Sequence, residues 1–464
     1  MSAQSATPQI TRAATGVFAP GHLGELTQIV PFDMVDAVLA ESAPTAQQRI
    51  RLLPARVTVY FLLAMTLFPE LGYRGVWSTL TAGLGNLHPA TPTASALRQA
   101  RSRIGPRPLA ALFTLLAGPI ARPRTTGACW RGLRPVAIDG TGIAIPDSAP
   151  NRAWTDKSRT ASHPDTGYPL LRLVTLIECG TRALIAAVFG SPAHGELAYA
   201  DQLLHRLGPG MVLLADRNFD AATFLAQVAG TGADLLIRLK ANRRPPLTGR
   251  HPDGSITSVI GATPVRIIEA RITVTTADGT RRSEHYRLVT TLLDPDRHPA
   301  TDLLELYHQR WDVETAYLAL KHTLTRGRVL RSQTPAGVEQ ELWALLVTYQ
   351  ILRIAMTDAT DSQPGLDPDR AGFTVALHAA RDQVITARSV IAGTHIDLVG
   401  TIGAQVLANL LPARRARVCP RHVKRPLSRY AYNKSRQPRA CLKATIEVTV
   451  TNAATSPLTR PTPP

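Results

Sequence analysis

Cysteine is scarce in this chain. Its 464 residues include four, Cys129, Cys179, Cys419 and Cys441. They are too widely spaced for a CxxC pair or a disulfide scaffold, so they read as reduced, cytosolic thiols. Aromatics make up 5% of the chain. Between residues 241 and 299 there is no tryptophan, and Tyr286 is the only aromatic residue. Long apolar runs are also missing. The best one, Val57 to Phe68, is too short to span a bilayer, and the opening MSAQSATPQITR lacks a charged stretch followed by an apolar core. No membrane partner is therefore expected. No Ser, Tyr or Cys motif marks a nucleophile for covalent catalysis.

Acidic residues are in deficit, with 34 Asp and Glu against 52 Lys and Arg, a net charge of +18. That favours a polyanionic partner. Much of the excess lies in one run from Arg414 to Lys443, which holds 11 basic residues and no acidic one. The 44% hydrophobic content suffices for packed cores, and the length allows two or three domains.

Residues 1–130 read as a separate helical module. Within it, Thr91 to Gly105 forms a capped helix with three arginines, able to enter a DNA groove or equally to be a solvated face. From Arg134 the pattern becomes strands at 135–139, 168–178 and 183–189, a helix at 196–207 and a strand at 211–215. A helix at 221–229 and a strand at 234–239 follow. Residues 241–299 read as a β-rich insertion before one long helix from about 301 to 324. This order predicts an α/β fold with a ribonuclease-H-like core over 131–330. A helical N-terminal DNA-binding domain precedes it, and a helical region with a basic tail over 331–464 follows.

In such a core the first and fourth strands are parallel neighbours, which places Asp139 and Asp216 together at the carboxyl edge of the sheet. On the long helix, Tyr307, Arg310, Glu314 and Lys321 in YHQRWDVETAYLALK fall within a sector of roughly 60° at helical spacing. Trp311, Leu318 and Leu304 border that stripe. Glu314 would add a third carboxylate. Three carboxylates without His or Cys suit Mg²⁺ or Mn²⁺ rather than zinc, and two such ions suit in-line phosphoryl displacement. Singly, each residue has an ordinary alternative. Asp139-Gly140 is turn chemistry, Asp216 can cap the next helix, and Glu314 can belong to a charge ladder with Arg310 and Lys321.

Taken together, the residues resemble the DDE transposases of bacterial insertion sequences, of the IS-four type. Their signature is Tyr, two residues, Arg, three residues, Glu, six residues, Lys, and the four residues here keep every interval. The D-G-T and D-R-x-F strand ends precede it in order. The resemblance spans roughly residues 10 to 440. It implies that Asp139, Asp216 and Glu314 are catalytic and bind Mg²⁺ or Mn²⁺, as two ions. Tyr307, Arg310 and Lys321 would contact DNA phosphates, with Arg217 and Asn218 in support. It also implies cleavage at the terminal inverted repeats, strand transfer to target DNA, a homodimeric synaptic complex, and a cytoplasmic, nucleoid-associated location. Where relatives carry a stacking tryptophan in the insertion, this chain has none. Two alternatives share the same core: a transposase-derived DNA-binding protein that no longer cuts, and a stand-alone ribonuclease-H-like nuclease.

Overall fold

The computed structural model describes residues 21–42, 53–87, 89–155, 167–386, 399–412, 417–418 and 442–451. Most of the basic run, together with Cys419 and Cys441, lies outside the described residues. Five helices come first: α1 (Phe32–Ser42), α2 (Ala55–Leu67), α3 (Tyr73–Thr81), α4 (Ala94–Ile104) and α5 (Arg107–Leu116). The core follows as β1 (Arg134–Ala144), α6 (Ala149–Trp154), β2 (Leu170–Glu178), β3 (Leu184–Gly190) and α7 (Glu196–Asp201). It continues through β4 (Met211–Ala215), α8 (Ala222–Gly230) and β5 (Asp234–Arg238). Then come β6 (Gly249–Arg250), β7 (Ile256–Ile260), β8 (Thr263–Thr276) and β9 (Arg281–Thr290). The remainder is α9 (Ala300–Tyr307), α10 (Asp312–Leu318), α11 (Pro335–Asp361), α12 (Phe373–Thr386), α13 (Gly400–Ala408), β10 (Arg417–Val418) and β11 (Leu442–Val450).

β1 pairs in parallel with β4, and β4 in parallel with β5. Their apolar runs are buried on both faces, which is why they read as nearly continuous hydrophobic segments. Val136, Ile138, Leu213, Ala215, Leu235 and Ile237 face one layer, with Phe224 and Leu225 of α8. Ala137, Val212, Leu214 and Leu236 face the other, toward α9 to α11. The core is thus a three-layer α/β/α sandwich.

The insertion joins the core sheet, because β9 pairs antiparallel with β5 and so extends it through β8. Two expectations change. β11 then adds to β8, so among the described residues the region after 331 is not helical throughout but also supplies a strand beside the insertion. Nor is the N-terminal module separate. One apolar cluster runs from Leu23 through Tyr60, Phe61 and Leu109 to Leu346, Ile351 and Val406. Helix α11 is buried nearly all round because N-terminal helices, sheet and C-terminal helices all pack on it.

The arginine-bearing helix α4 adds a further tie between the N-terminal helices and α11. Arg101 is 3% exposed and ion-pairs with Glu341 at 2.9 Å. It also donates to Tyr73, Gln340, Ser332 and the Gly337 carbonyl. Of the three arginines Arg101 ties α4 to α11, while Arg98 and Arg103 stay exposed.

Candidate active site

The register of the parallel pair sets the first feature of the site. Ala137 aligns with Leu214, so two residues further on Asp139 comes level with Asp216. Adjacent strands lie about 4.8 Å apart, so both carboxylates share one edge. Asp139 does not end its strand as expected, since β1 runs on to Ala144 paired with β2, Asp139 lying opposite Thr175. Each aspartate uses one oxygen locally. Asp139 Oδ1 accepts from the Gly140 N–H at 2.8 Å, and Asp216 Oδ1 accepts from the Asn218 N–H at 2.7 Å. Asp216 therefore caps the 3₁₀ turn Arg217–Phe219 from its place level with Asp139.

The expected single helix is four segments. A 3₁₀ turn, His308–Trp311, separates α9 from α10, and a π-helical turn, Ala319–Leu324, follows. The first overwinds and the second underwinds the chain, so the four signature side chains do not form one even stripe. They reach different places. The Tyr307 hydroxyl donates to the Ala215 carbonyl, the residue before Asp216, at 3.1 Å. Arg310 stands between carboxylates, 4.0 Å from Asp139 Oδ2 and 3.6 Å from Glu314 Oε1. Lys321 Nζ donates to Thr141 Oγ1 at 3.0 Å. Of the bordering residues Leu304 is buried, while Leu318 is exposed.

Tyr307 is thus not displayed for phosphate contact. It is 5% exposed, and burial raises its hydroxyl pKa above the ordinary tyrosine range. Tyr317, which pattern reading missed, mirrors it by donating to the Asp139 carbonyl while accepting from Thr175. Two tyrosines ten residues apart therefore hold the Glu314-bearing segment against both aspartate-bearing stretches, at Asp139 within β1 and at Ala215 closing β4. Tyr307→Phe is expected to leave the buried Ala215 carbonyl unpaired, costing about 1–3 kcal/mol. Urea unfolding and end binding measured together check this. Unchanged stability with weakened binding would return Tyr307 to the phosphate.

Arg310 is 8% exposed, and its Nε has no hydrogen-bond partner among the described residues. The Trp311 ring lies 4.7 Å and the Tyr307 ring 5.9 Å from its guanidinium carbon. These faces fix the cation's plane while leaving its donors pointed at the site. Burial also lowers the Lys321 pKa, a cost that a neighbouring phosphate would offset. Tyr286 meets Tyr307 edge-on at 6.4 Å and lies under Arg238 at 4.0 Å, so the insertion's one aromatic residue borders the site.

Sequence reading also missed Glu196, at the start of α7. The Asp139 carboxyl is pushed up to about 7, first by burial and then by the charges of Glu196 and Asp216, against the Gly140 N–H and Arg310. Among the described residues no three His, Cys, Asp or Glu side chains converge closely enough to hold an ion outright, and Arg310 separates Glu314 from Asp139. The donor chemistry nevertheless fits a hard divalent cation. The donors are carboxylate oxygens, and the crowding of negative charge around Asp139 is what such a cation would relieve.

This crowding predicts a pH effect on the metal-free protein. Asp139 holds its proton more tightly folded than unfolded, against an ordinary value of 3.8. It therefore favours the folded state most at low pH, and that contribution is lost as pH rises toward about 7. Asp139→Asn is expected to flatten the fall of the urea midpoint over this interval. An unchanged slope would mean that Asp139 is not strained.

Comparison with known proteins accords with this geometry. Residues 20–114 match the family described as insertion element 4 transposase N-terminal, and residues 130–351 match the transposase DDE domain. The chain is 28% identical over 404 residues to transposase InsG for insertion sequence element IS4 of Escherichia coli, covering 84% of this chain and 90% of the relative. It is 29% identical over 140 residues to the putative transposase InsZ of the same organism, covering 30% and 47%. A cryo-EM structure of a piggyBac transposase synaptic complex with hairpin DNA aligns over 84% of each chain at TM-score 0.40 and 10% identity, too distant to carry any argument. A ribonuclease-H-like sheet edge bearing paired aspartates, within a matched DDE domain, defines a DNA-cleaving and strand-transferring enzyme. The chain belongs to the IS4 family of DDE transposases. Enzymes of this class act on DNA with divalent metal ions. No helix among the described residues is long and apolar enough to cross a membrane.

Proposed function

We propose that Asp139, Asp216 and Glu314 form the catalytic centre, holding two Mg²⁺ or Mn²⁺ ions, and that the protein cuts at its element's terminal inverted repeats and joins the ends to target DNA. The observation that carries this is the register bringing Asp139 level with Asp216, with Glu314 linked to Asp139 through Arg310. The bound ions would lower the pKa of the attacking water or 3′-hydroxyl and neutralise charge on the leaving oxygen. Arg310 and Lys321 would grip the phosphate, one held in plane by aromatic faces and the other anchored on Thr141. Tyr307 takes a different role from the one the resemblance implies, keeping the helix at its distance from the Asp216 strand. Arg217 and Asn218 support Asp216 through the 3₁₀ turn. Homodimeric pairing of two ends on nucleoid DNA completes the reading.

The test is incubation of purified protein with duplexes carrying the element's ends in Mg²⁺ or Mn²⁺. Cut ends bearing 3′-hydroxyls and their joining to target DNA are expected. Binding without cutting would leave a DNA-binding derivative, and cutting without preference for the ends would leave a nuclease.

The basic run contributes a separate expectation. Because Leu442–Val450 is a strand of the sheet, deleting the run through that strand would damage the fold. Replacing Arg421, Lys424, Arg425 and Arg429 by Gln avoids this. Each phosphate contact removed should lower the slope of log affinity against log salt by about 0.9. An unchanged slope would make the run a bystander.

A further inference from the structure

Asp312 opens α10, is 4% exposed and takes no part in the proposed chemistry. At helical pitch it lies about 160° around α10 from Glu314, on the side turned into the protein. There the Arg182 Nε–H donates to its Oδ1 at 3.0 Å. Arg182 is 5% exposed, lies in the turn between β2 and β3, and also pairs with Asp369 of the 3₁₀ turn Pro368–Arg370. Its backbone is held at φ +58°, a left-handed conformation that residues with a Cβ seldom adopt. The Tyr349 hydroxyl of α11 donates to its carbonyl at 2.7 Å, and the Gln350 side chain accepts from the Leu184 N–H at 2.8 Å. Helix α11 thus grips the turn, and the turn presents a fixed cation to the start of α10.

Asp312 sits at the junction where the 3₁₀ turn His308–Trp311 passes into α10. A 3₁₀ turn advances about 120° per residue and an α-helix about 100°, so winding those four residues as α-helix would rotate Glu314 against Tyr307 by about 80°. Tyr307 and Tyr317 fix the segment on β4 and β1, but neither lies at that junction. We propose that Asp312 is a positioning residue for Glu314 and Arg310, its ion pair with Arg182 locking the junction and so setting the angle at which both approach Asp139. The proposal rests on the reading of Glu314 as a catalytic residue. A buried ion pair contributes little net stability but is demanding in geometry, so its effect falls on where α10 sits rather than on whether the chain folds. Arg182 is 130 residues from Asp312 in the chain, so no local pattern marks the pair.

The experiment compares full-length wild type, Asp312→Asn, the double variant Arg182→Met with Asp312→Leu, and Glu314→Gln. Thermal melts, binding to end duplexes, single-turnover cleavage and Mn²⁺ titration, with unbound Mn²⁺ counted by electron paramagnetic resonance, are measured on each. The double variant replaces the pair by apolar groups, and Asp369 is exposed enough to hydrate once Arg182 is gone. It is expected to melt near wild type and bind ends within a few-fold, yet to cleave and to bind Mn²⁺ at least about tenfold more weakly. Asp312→Asn should show the same losses, and the double variant decides the matter should Asp312→Asn fail to fold. Asp312→Asn added to Glu314→Gln should weaken Mn²⁺ binding no further than Glu314→Gln alone, since a residue acting through another is not additive with it. If the folded double variant cuts and binds Mn²⁺ like wild type, the pair only holds the fold together and the proposal fails while the catalytic reading stands. If Glu314→Gln itself cuts like wild type, the reading of Glu314 falls and takes this proposal with it.

Discussion

Glu314→Gln is expected to abolish cleavage of end duplexes in Mg²⁺, by at least about a thousandfold, while end binding stays within a few-fold. A ligand that helps hold a charge-neutralising metal is associated with several kcal/mol of transition-state stabilisation, and each 1.4 kcal/mol is about a tenfold change in rate. Glutamine keeps the shape and one carbonyl oxygen but removes the charge. Arg310 would lose its partner at 3.6 Å and retain Asp139 at 4.0 Å, so the phosphate grip should survive. Gel-shift and cleavage assays on the same preparation separate the two effects. Wild-type cleavage by this variant would remove Glu314 from the centre. Joint loss of binding and cleavage with a normal melt would assign it to DNA contact.

The second large effect concerns stability. Arg101→Ala is expected to destabilise the fold by about 3–5 kcal/mol, since removing one partner of a buried pair leaves Glu341 charged and uncompensated. The Tyr73, Gln340, Ser332 and Gly337 groups would lose their donor as well. Arg101→Met combined with Glu341→Met should recover much of that loss, because the mutual attraction of a buried pair does little more than balance its desolvation. Urea midpoints test both. If instead Arg101→Ala kept wild-type stability and lost DNA affinity, Arg101 would serve DNA rather than the α4–α11 contact.

Much of the core was legible because its signals are local. Strands 211–215 and 234–239 stand out as apolar runs buried on both faces, and their order with the intervening helices predicts a ribonuclease-H-like sheet that the structure has. Asp139 and Asp216 were legible for the same reason, each following such a run. The winding of residues 300–324 was not. Periodicity assumes one pitch, and neither the 3₁₀ turn nor the π turn has a composition that announces it. The inward turn of Tyr307 onto the Ala215 carbonyl could not be read as a result, and Tyr317 lay outside the signature altogether. The place of α4 was equally hidden, since an arginine looks the same whether it faces DNA or a glutamate 240 residues away.

The amino-acid sequence by itself determined which residues could do the chemistry: two aspartates after apolar strands, the intervals from Tyr307 to Lys321, and a basic run near the end. Those are properties of neighbours in the chain. The tertiary structure alone decided which of them meet. It put Asp139 level with Asp216, set Arg310 between Asp139 and Glu314, turned Tyr307 inward and brought Glu196 onto Gly140. The physical reason is that carboxylate contacts depend on distances of a few ångströms, which strand register and helix pitch set and sequence separation does not.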